Sequence, residues 1–369
     1  MVTDMPVRGA PGMRGRLGEL CYSSGLLTPL QRVRAWWQRD LRILAYHRVM
    51  PLPDPATYAF DMELISTPPD EFREQMRWLA RHFRPMRLTD IVEALDAGEV
   101  LPPDTVAVTF DDGYDDNYHV AAPILEEAGV PATFFVSTGH LDSGRPYGYD
   151  WLVHMILVTG APRLELPELG IDITLPPDRD SRRRIAGNVL LRMKWLDALA
   201  QTAMTERLEQ EWNLPSVDAR PAACRPMTWD QAREMSAAGF EFGSHGVHHR
   251  MLARLPQDVM EREIRESKAT LDRELGTPSI LMSYPVGGDR AYSDAVIAAT
   301  RSAGFRLACS YVCGTNPEPG VNRYALNRLP VEANMGPGWF AAMLALPRLM
   351  SYPTTRHEAH PPQAQPCSR

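Results

Sequence analysis

The feature that most constrains this chain is an alternation of short apolar runs with helical segments, the runs ending in clusters of polar side chains. Thr105-Val106-Ala107-Val108-Thr109-Phe110 is apolar or β-branched throughout and runs directly into Asp111-Asp112. Residues 121–128 follow with a helical pattern stopped by Gly129, and Pro131-Ala132-Thr133-Phe134-Phe135-Val136 is the next apolar run. Short strands that read as continuous apolar runs are buried on both faces, and helices between them provide the crossovers of a parallel sheet.

The same rhythm is visible on both sides. Leu41-Arg42-Ile43-Leu44-Ala45-Tyr46-His47 reads as a first strand, and further strands are expected at 240–245, 279–284 and 307–311, with helices between them. Ser66 or Thr67 is the expected cap of a helix whose apolar face runs through Phe72, Met76, Leu79 and Phe83, and Thr89 is the expected cap of a helix at 88–97. Between about 142 and 225 the rhythm breaks. There 147–159 reads as helix, 164–175 as a hairpin, and 182–212 as a strongly charged helical stretch. The expected organisation is a partly helical leader at 1–40, one α/β domain at 41–346 interrupted by a mainly helical insertion at 142–225, and a disordered tail at 347–369 rich in Pro, Gln and His.

Composition narrows the function classes. With 369 residues, 44% of them hydrophobic, the chain can bury a large core. A net charge of −7 without a basic stripe argues against a nucleic-acid partner. Cys21, Cys224, Cys309, Cys313 and Cys367 are too scattered for a zinc knuckle or a disulfide framework, so free thiols are expected. No secretory signal is visible at the start, and no run reaches the roughly 18 apolar residues of a membrane span. The expected location is the cytoplasm, with peripheral contact on the inner membrane face. Two segments could make that contact, 30–37 with Trp36-Trp37 beside arginines, and 339–346. Packing of both as helices on the main domain is the preferred expectation.

Three clusters at strand ends carry chemistry, and in barrels of alternating strands and helices that end is where catalytic groups collect. The first is Asp111-Asp112-Gly113-Tyr114, where one carboxylate can bind a metal while the other accepts a proton. Adjacent like charges are costly unless a cation shares the site. Helix capping is the competing role, and Asp115 and Asp116 are available for it. The second is Ser244-His245-Gly246-Val247-His248-His249. His245 and His249, four apart, can face one metal, with His248 directed elsewhere. Two histidines, a carboxylate and an open position suit Zn2+, with Fe2+, Co2+, Ni2+ or Mn2+ as alternatives. The third is Ser283-Tyr284-Pro285-Val286-Gly287-Gly288, a tight loop able to present backbone N–H groups to an oxyanion.

Together these residues resemble the polysaccharide deacetylase family, also called the NodB-homology or carbohydrate esterase family 4 domain. Thr109-Phe110-Asp111-Asp112-Gly113-Tyr114 matches its first motif, and the Ser244–His249 segment matches its second. The resemblance implies a distorted (β/α)7 TIM-like barrel, a divalent metal on Asp112, His245 and His249, and Asp111 as general base. It also implies an oxyanion donor at the Val286 N–H, and substrate contacts at Tyr114, Tyr284 and Pro285.

Two departures stand out. Ser283 occupies the place of the family's usual arginine, and residues 322–331 lack the usual histidine acid. Tyr46-His47-Arg48 is similar instead to a circularly permuted subgroup of exopolysaccharide deacetylases. That likeness makes His47 the candidate acid, and, apart from it, Arg328 is the candidate to supply the charge absent at Ser283. The implied substrate is an N-acetylated glycan or glycolipid. An amide or imide hydrolase for a small non-sugar substrate is the first alternative. A non-catalytic carbohydrate-binding relative is the second, and the intact Asp111, Asp112, His245 and His249 set argues against it. The oligomeric state is open.

Overall fold

In the computed structural model, residues 12–193, 196, 198–214, 222–317 and 322–351 are described. Seven strands form the core: β1 (Asp40–Tyr46), β2 (Thr105–Phe110), β3 (Ala132–Val136), β4 (Glu241–Ser244), β5 (Leu281–Ser283), β6 (Leu307–Cys313) and β7 (Leu326–Pro330). Each pairs in parallel with the next in sequence, and β7 pairs with β1. The sheet therefore closes into a seven-stranded parallel barrel wrapped by helices, as expected. Closure removes free edges. It also explains the apolar runs, since every residue of β1 to β5 is buried.

The charged and apolar patterning of the insertion also becomes intelligible. Gly148–Val158 is a helix buried from Asp150 to Leu157, and Arg163–Leu166 pairs antiparallel with Ile171–Thr174. Helices Arg179–Met193 and Ala198–Glu211 follow. Their apolar side chains form a second core that takes in Tyr58, Phe60 and Ile65 from the segment after β1. Arginines on the charged helix act as clamps. Arg182 donates to the Ile156 and Thr159 carbonyls at 3.1 and 2.6 Å, and Arg183 to that of Phe60 at 2.8 Å.

Three expected caps are absent. The helix Pro69–His82 starts after Pro68 with no side-chain cap. Thr89 lies inside the helix Leu88–Asp96, whose start is held by Glu241 of β4. The Glu241 carboxylate accepts from the Leu88 and Thr89 N–H groups at 2.8 and 3.0 Å, and from the Thr89 and Thr133 hydroxyls. A buried carboxylate from a barrel strand outcompetes a local hydroxyl because it serves several donors at once. Asp116 is not a helix cap either, since its carboxylate is taken by Arg48 and the Val49 N–H.

At the chain's ends, the leader forms helices Met13–Ser23 and Leu27–Trp37. The packed chain continues through a short helix, Pro347–Met350, with Pro347 and Met350 buried. The start of the tail expected at 347–369 is therefore packed helix through Met350, and residues 352–369 lie outside the described ones. Among the described residues Cys21, Cys224, Cys309 and Cys313 form no disulfide, and Cys367 lies outside the described residues.

Candidate active site and metal centre

Five of the barrel strands deliver the site at their C-terminal ends. Asp111 and Asp112 follow β2, both essentially buried. The Asp111 N–H donates to the Tyr46 carbonyl of β1 at 2.9 Å, which seats His47 alongside. His245 follows β4, Ser283 ends β5, and Arg328 lies in β7.

The strained backbone of the molecule concentrates here. Among the described residues, five non-glycines have positive φ, and three of them are Asp112 (75°), His249 (54°) and Val286 (66°). Such conformations cost on the order of 1–3 kcal/mol each and persist where the surroundings over-determine them. Gly113 adopts φ 78°, and a Cβ there would lie 2.7 Å from Val136 Cγ1, so the turn after the aspartates admits no side chain.

Asp112, His245 and His249 bring one ligand atom each to within 4.8 Å of one another. The two imidazole Nε2 atoms lie 3.6 and 3.3 Å from Asp112 Oδ1. His245 Nδ1 faces the Ser283 carbonyl at 2.8 Å. A carbonyl only accepts, so Nδ1 carries the proton and Nε2 presents a lone pair to Asp112. Burial pulls the His245 pKa down to about 4, which keeps the ring neutral near pH 7. Asp112 Oδ1 is buried without a hydrogen-bond partner. A carboxylate oxygen facing a lone pair is repulsive unless a cation lies between them, and an N2O donor set of this kind suits a divalent transition metal.

The histidine loop is built to hold this geometry. Glu263, buried on the helix Gln257–Leu275, accepts from the Val247 and His248 N–H groups at 2.9 and 3.0 Å and pairs with His248 Nδ1 at 2.7 Å. His248 is therefore directed away from the metal site, as its spacing implied.

Asp111 is satisfied differently. Arg328, fully buried, forks it through Nη1 to Oδ1 at 2.8 Å and Nη2 to Oδ2 at 2.6 Å. The same guanidinium donates to the Ser283 hydroxyl at 3.0 Å and the Ser310 carbonyl at 2.7 Å. It thus stands against Ser283, the position that lacks the family's arginine. Burial opposes ionisation of Asp111, but Arg328 and the nearby histidines outweigh it and hold the carboxyl below its usual range. Arg328 is expected from sequence to be catalytic. It is completely buried, and its contacts run to Asp111 and its neighbours.

His47 is half-buried, with its ring 5.4 Å from that of Tyr311. Its main chain is fixed by Ser66, which accepts from the His47 N–H at 2.9 Å, and by Asn117, which donates to its carbonyl at 2.8 Å. The neighbouring Arg48 bonds Asp116 at 2.8 Å and lies over the Tyr114 ring at 4.4 Å.

Two of the expected substrate contacts, Tyr284 and Tyr114, have buried side chains. Tyr284 is fully buried, and its hydroxyl donates to the Tyr324 carbonyl at 2.9 Å while its ring stacks on Tyr292. Tyr114 is fully buried too, with its hydroxyl 3.4 Å from that of Tyr149. Pro285 is buried against Gly246. Val286 is partly exposed, and its N–H has no hydrogen-bond partner among the described residues.

Sequence reasoning missed two site residues. Tyr149 donates to Asp112 Oδ2 at 2.8 Å, and Tyr147 donates to the Asp112 main-chain carbonyl. Both belong to the insertion. The available signal was the cluster Tyr147-Gly148-Tyr149-Asp150 at its start, two aromatic hydroxyls beside an acid.

Comparison with known proteins agrees with this architecture. The profile of the polysaccharide deacetylase family matches residues 98–308. The Bacillus subtilis protein YxkH, which carries a polysaccharide-deacetylase name, is 21% identical over 286 residues, 76% of this chain and 71% of that one. The Escherichia coli poly-β-1,6-N-acetyl-D-glucosamine N-deacetylase is 36% identical over 77 residues, 21% of this chain and 12% of its own. The Streptococcus pyogenes deacetylase PplD superposes with a TM-score of 0.55 at 20% identity, covering 85% of this chain and all of that one. IcaB from Ammonifex degensii does so at 0.52 and 20%, covering 84% and 97%. The chain belongs to the polysaccharide deacetylase family and is a hydrolase of carbon–nitrogen bonds other than peptide bonds.

Proposed function

We propose that this chain removes acetyl groups from an N-acetylated amino-sugar polymer or its lipid- or nucleotide-linked precursor, with a divalent metal held by Asp112, His245 and His249. The observation that carries the reading is the buried, unpartnered Asp112 Oδ1 set against two imidazole nitrogens. Zn2+ suits the donors best, and Co2+, Ni2+, Fe2+ and Mn2+ suit them too. When bound, such an ion polarises the amide carbonyl and lowers the pKa of water.

The chain's own residues supply the rest. Asp111, ionised and aligned by Arg328, accepts the proton of the attacking water. The Val286 N–H meets the oxygen on which negative charge develops. His47, next in the chain after Tyr46, whose carbonyl accepts from the Asp111 N–H, donates a proton to the departing amine nitrogen. The C–N bond breaks, leaving acetate and a free amine. The Tyr46-His47-Arg48 strand favours an exopolysaccharide-type substrate, the class named for the E. coli relative.

The test is metal analysis of the purified protein, with acetate release measured on poly-β-1,6-N-acetylglucosamine and on chitooligosaccharides. Near-stoichiometric metal is expected, with faster release from the first polymer and loss of activity on chelation. Full activity in the chelated, metal-free protein would overturn the metal reading. Faster release from chitooligosaccharides would overturn the substrate class alone.

A further inference from the structure

The leader and the segment 339–346 are the two apolar stretches left outside the catalytic reading, and they differ completely in exposure. The helix Pro337–Ala345 is buried from Phe340 to Ala345, so it offers nothing to a membrane. It is covered by the helix Met13–Ser23, which approaches through Gly15 and Gly18. A Cβ at Gly18 would lie 2.9 Å from the Gly338 carbonyl oxygen, and Glu19 accepts from the Gly338 N–H at 2.8 Å.

That docking uses one face of the first helix and turns the other outward. Met13, Leu17 and Leu20, spaced i, i+4, i+7, stand opposite Gly15 and Gly18 and are exposed, Met13 by 85%. The helix Leu27–Trp37 repeats the arrangement. Leu27 and Gln31 face inward, while Leu30, Val33 and, just before the helix, Leu26 are exposed at the same spacing, with Trp36 90% exposed. Among the described residues, eight of the thirteen exposed large apolar side chains fall within 13–36, so exposed apolar side chains are concentrated on these two helices rather than scattered over the chain.

Charge selects the occupant. On a chain of net charge −7, residues 13–39 carry Arg14, Arg16, Arg32, Arg34 and Arg39 against Glu19 alone. Arg34 is engaged by Asp40, and Arg32 and Arg39 are exposed beside the apolar stripes. Apolar stripes with an exposed tryptophan, flanked by arginines, match a surface with apolar depth and negative headgroups. We infer that this two-helix face docks the enzyme on an anionic lipid surface, lying in the headgroup region and leaving the barrel in water. This inference stands apart from the catalytic reading, since no residue of the face belongs to the site.

The full-length protein is sedimented with vesicles of phosphatidylcholine alone and of phosphatidylcholine with 30% phosphatidylglycerol, a composition about that of a strongly anionic bilayer. Binding to the anionic vesicles is expected, weakening about fivefold for each arginine changed in Arg32→Gln and Arg39→Gln. High salt is expected to weaken it as well. The triple variant Leu17→Glu, Leu30→Glu, Val33→Glu is expected to stay in the supernatant with an unchanged circular dichroism spectrum. Failure of the natural chain to bind anionic vesicles overturns the inference. So does equal binding by the triple variant. A wild-type dimer that the triple variant dissociates, without vesicle binding, would reassign the face to a second copy of the chain.

Discussion

Asp111 and Asp112 are consecutive, follow the same strand, and are both removed from water, yet the fold treats them in opposite ways. Asp111 receives two strong hydrogen bonds from one buried guanidinium and is neutralised within the protein. Asp112 receives its hydrogen bonds at the main-chain carbonyl and at Oδ2, while Oδ1 is left facing the imidazole nitrogens of His245 and His249. Burial of an unpaired carboxylate is costly, and a protein that keeps one normally supplies the counter-charge from outside the chain. The difference separates two jobs. A carboxylate fixed by arginine stays ionised and in place, whereas one aimed at histidines has the placement that the proposed metal reading asks of a ligand.

The largest effects should come from exchanging these treatments. His245→Ala removes a ligand and is expected to abolish both metal retention and acetate release, read by metal analysis and by the deacetylation assay. Asp111→Asn should leave the metal in place and lower the rate by about 10^2 to 10^4, the usual contribution of a positioned base. Full metal content with full activity in Asp111→Asn would show that the two carboxylates are not divided as base and ligand.

Arg328→Met tests the neutralised half through stability. Losing one partner of a buried pair costs about 3–5 kcal/mol, because the remaining charge is stranded. Denaturant unfolding of the metal-free protein should show this loss, and Arg328→Met combined with Asp111→Asn should recover most of it. If the double variant is no more stable than Arg328→Met, packing of the arginine stem would be its main contribution.

The two halves were not equally legible. The strand and motif at 105–112 and the histidine loop are local in sequence, so composition and spacing carry them. Arg328 could be suspected only because Ser283 occupies the arginine's usual place, and its forked contact with Asp111 spans more than two hundred residues. The tyrosines of the metal half were illegible for a different reason. They stand at the head of the insertion, where the strand–helix rhythm stops, and nothing in the local pattern says which way a helix start will face. Glu241 shows the same limit: a strand acid caps a helix some 150 residues away, and the nearby threonine only looked suitable.

The smallest expected effect bears on what the insertion does for the metal half. Tyr149→Phe deletes one hydroxyl from Asp112 Oδ2 and adds nothing. Partners that orient a metal ligand are worth about 10- to 100-fold in metal affinity, so a competition titration against a chromophoric chelator should weaken by that factor. Because Tyr149 also reaches Tyr114, a general loosening of the fold is the competing outcome, and the metal-free unfolding midpoint distinguishes it. Tyr147→Phe is the informative partner, since its hydroxyl holds the Asp112 backbone at φ 75° rather than the carboxylate. If the insertion orients the ligand directly, Tyr149→Phe weakens metal binding more than Tyr147→Phe does. The reverse order would mean that the insertion acts by holding the strained turn, and that the carboxylate finds its direction without help.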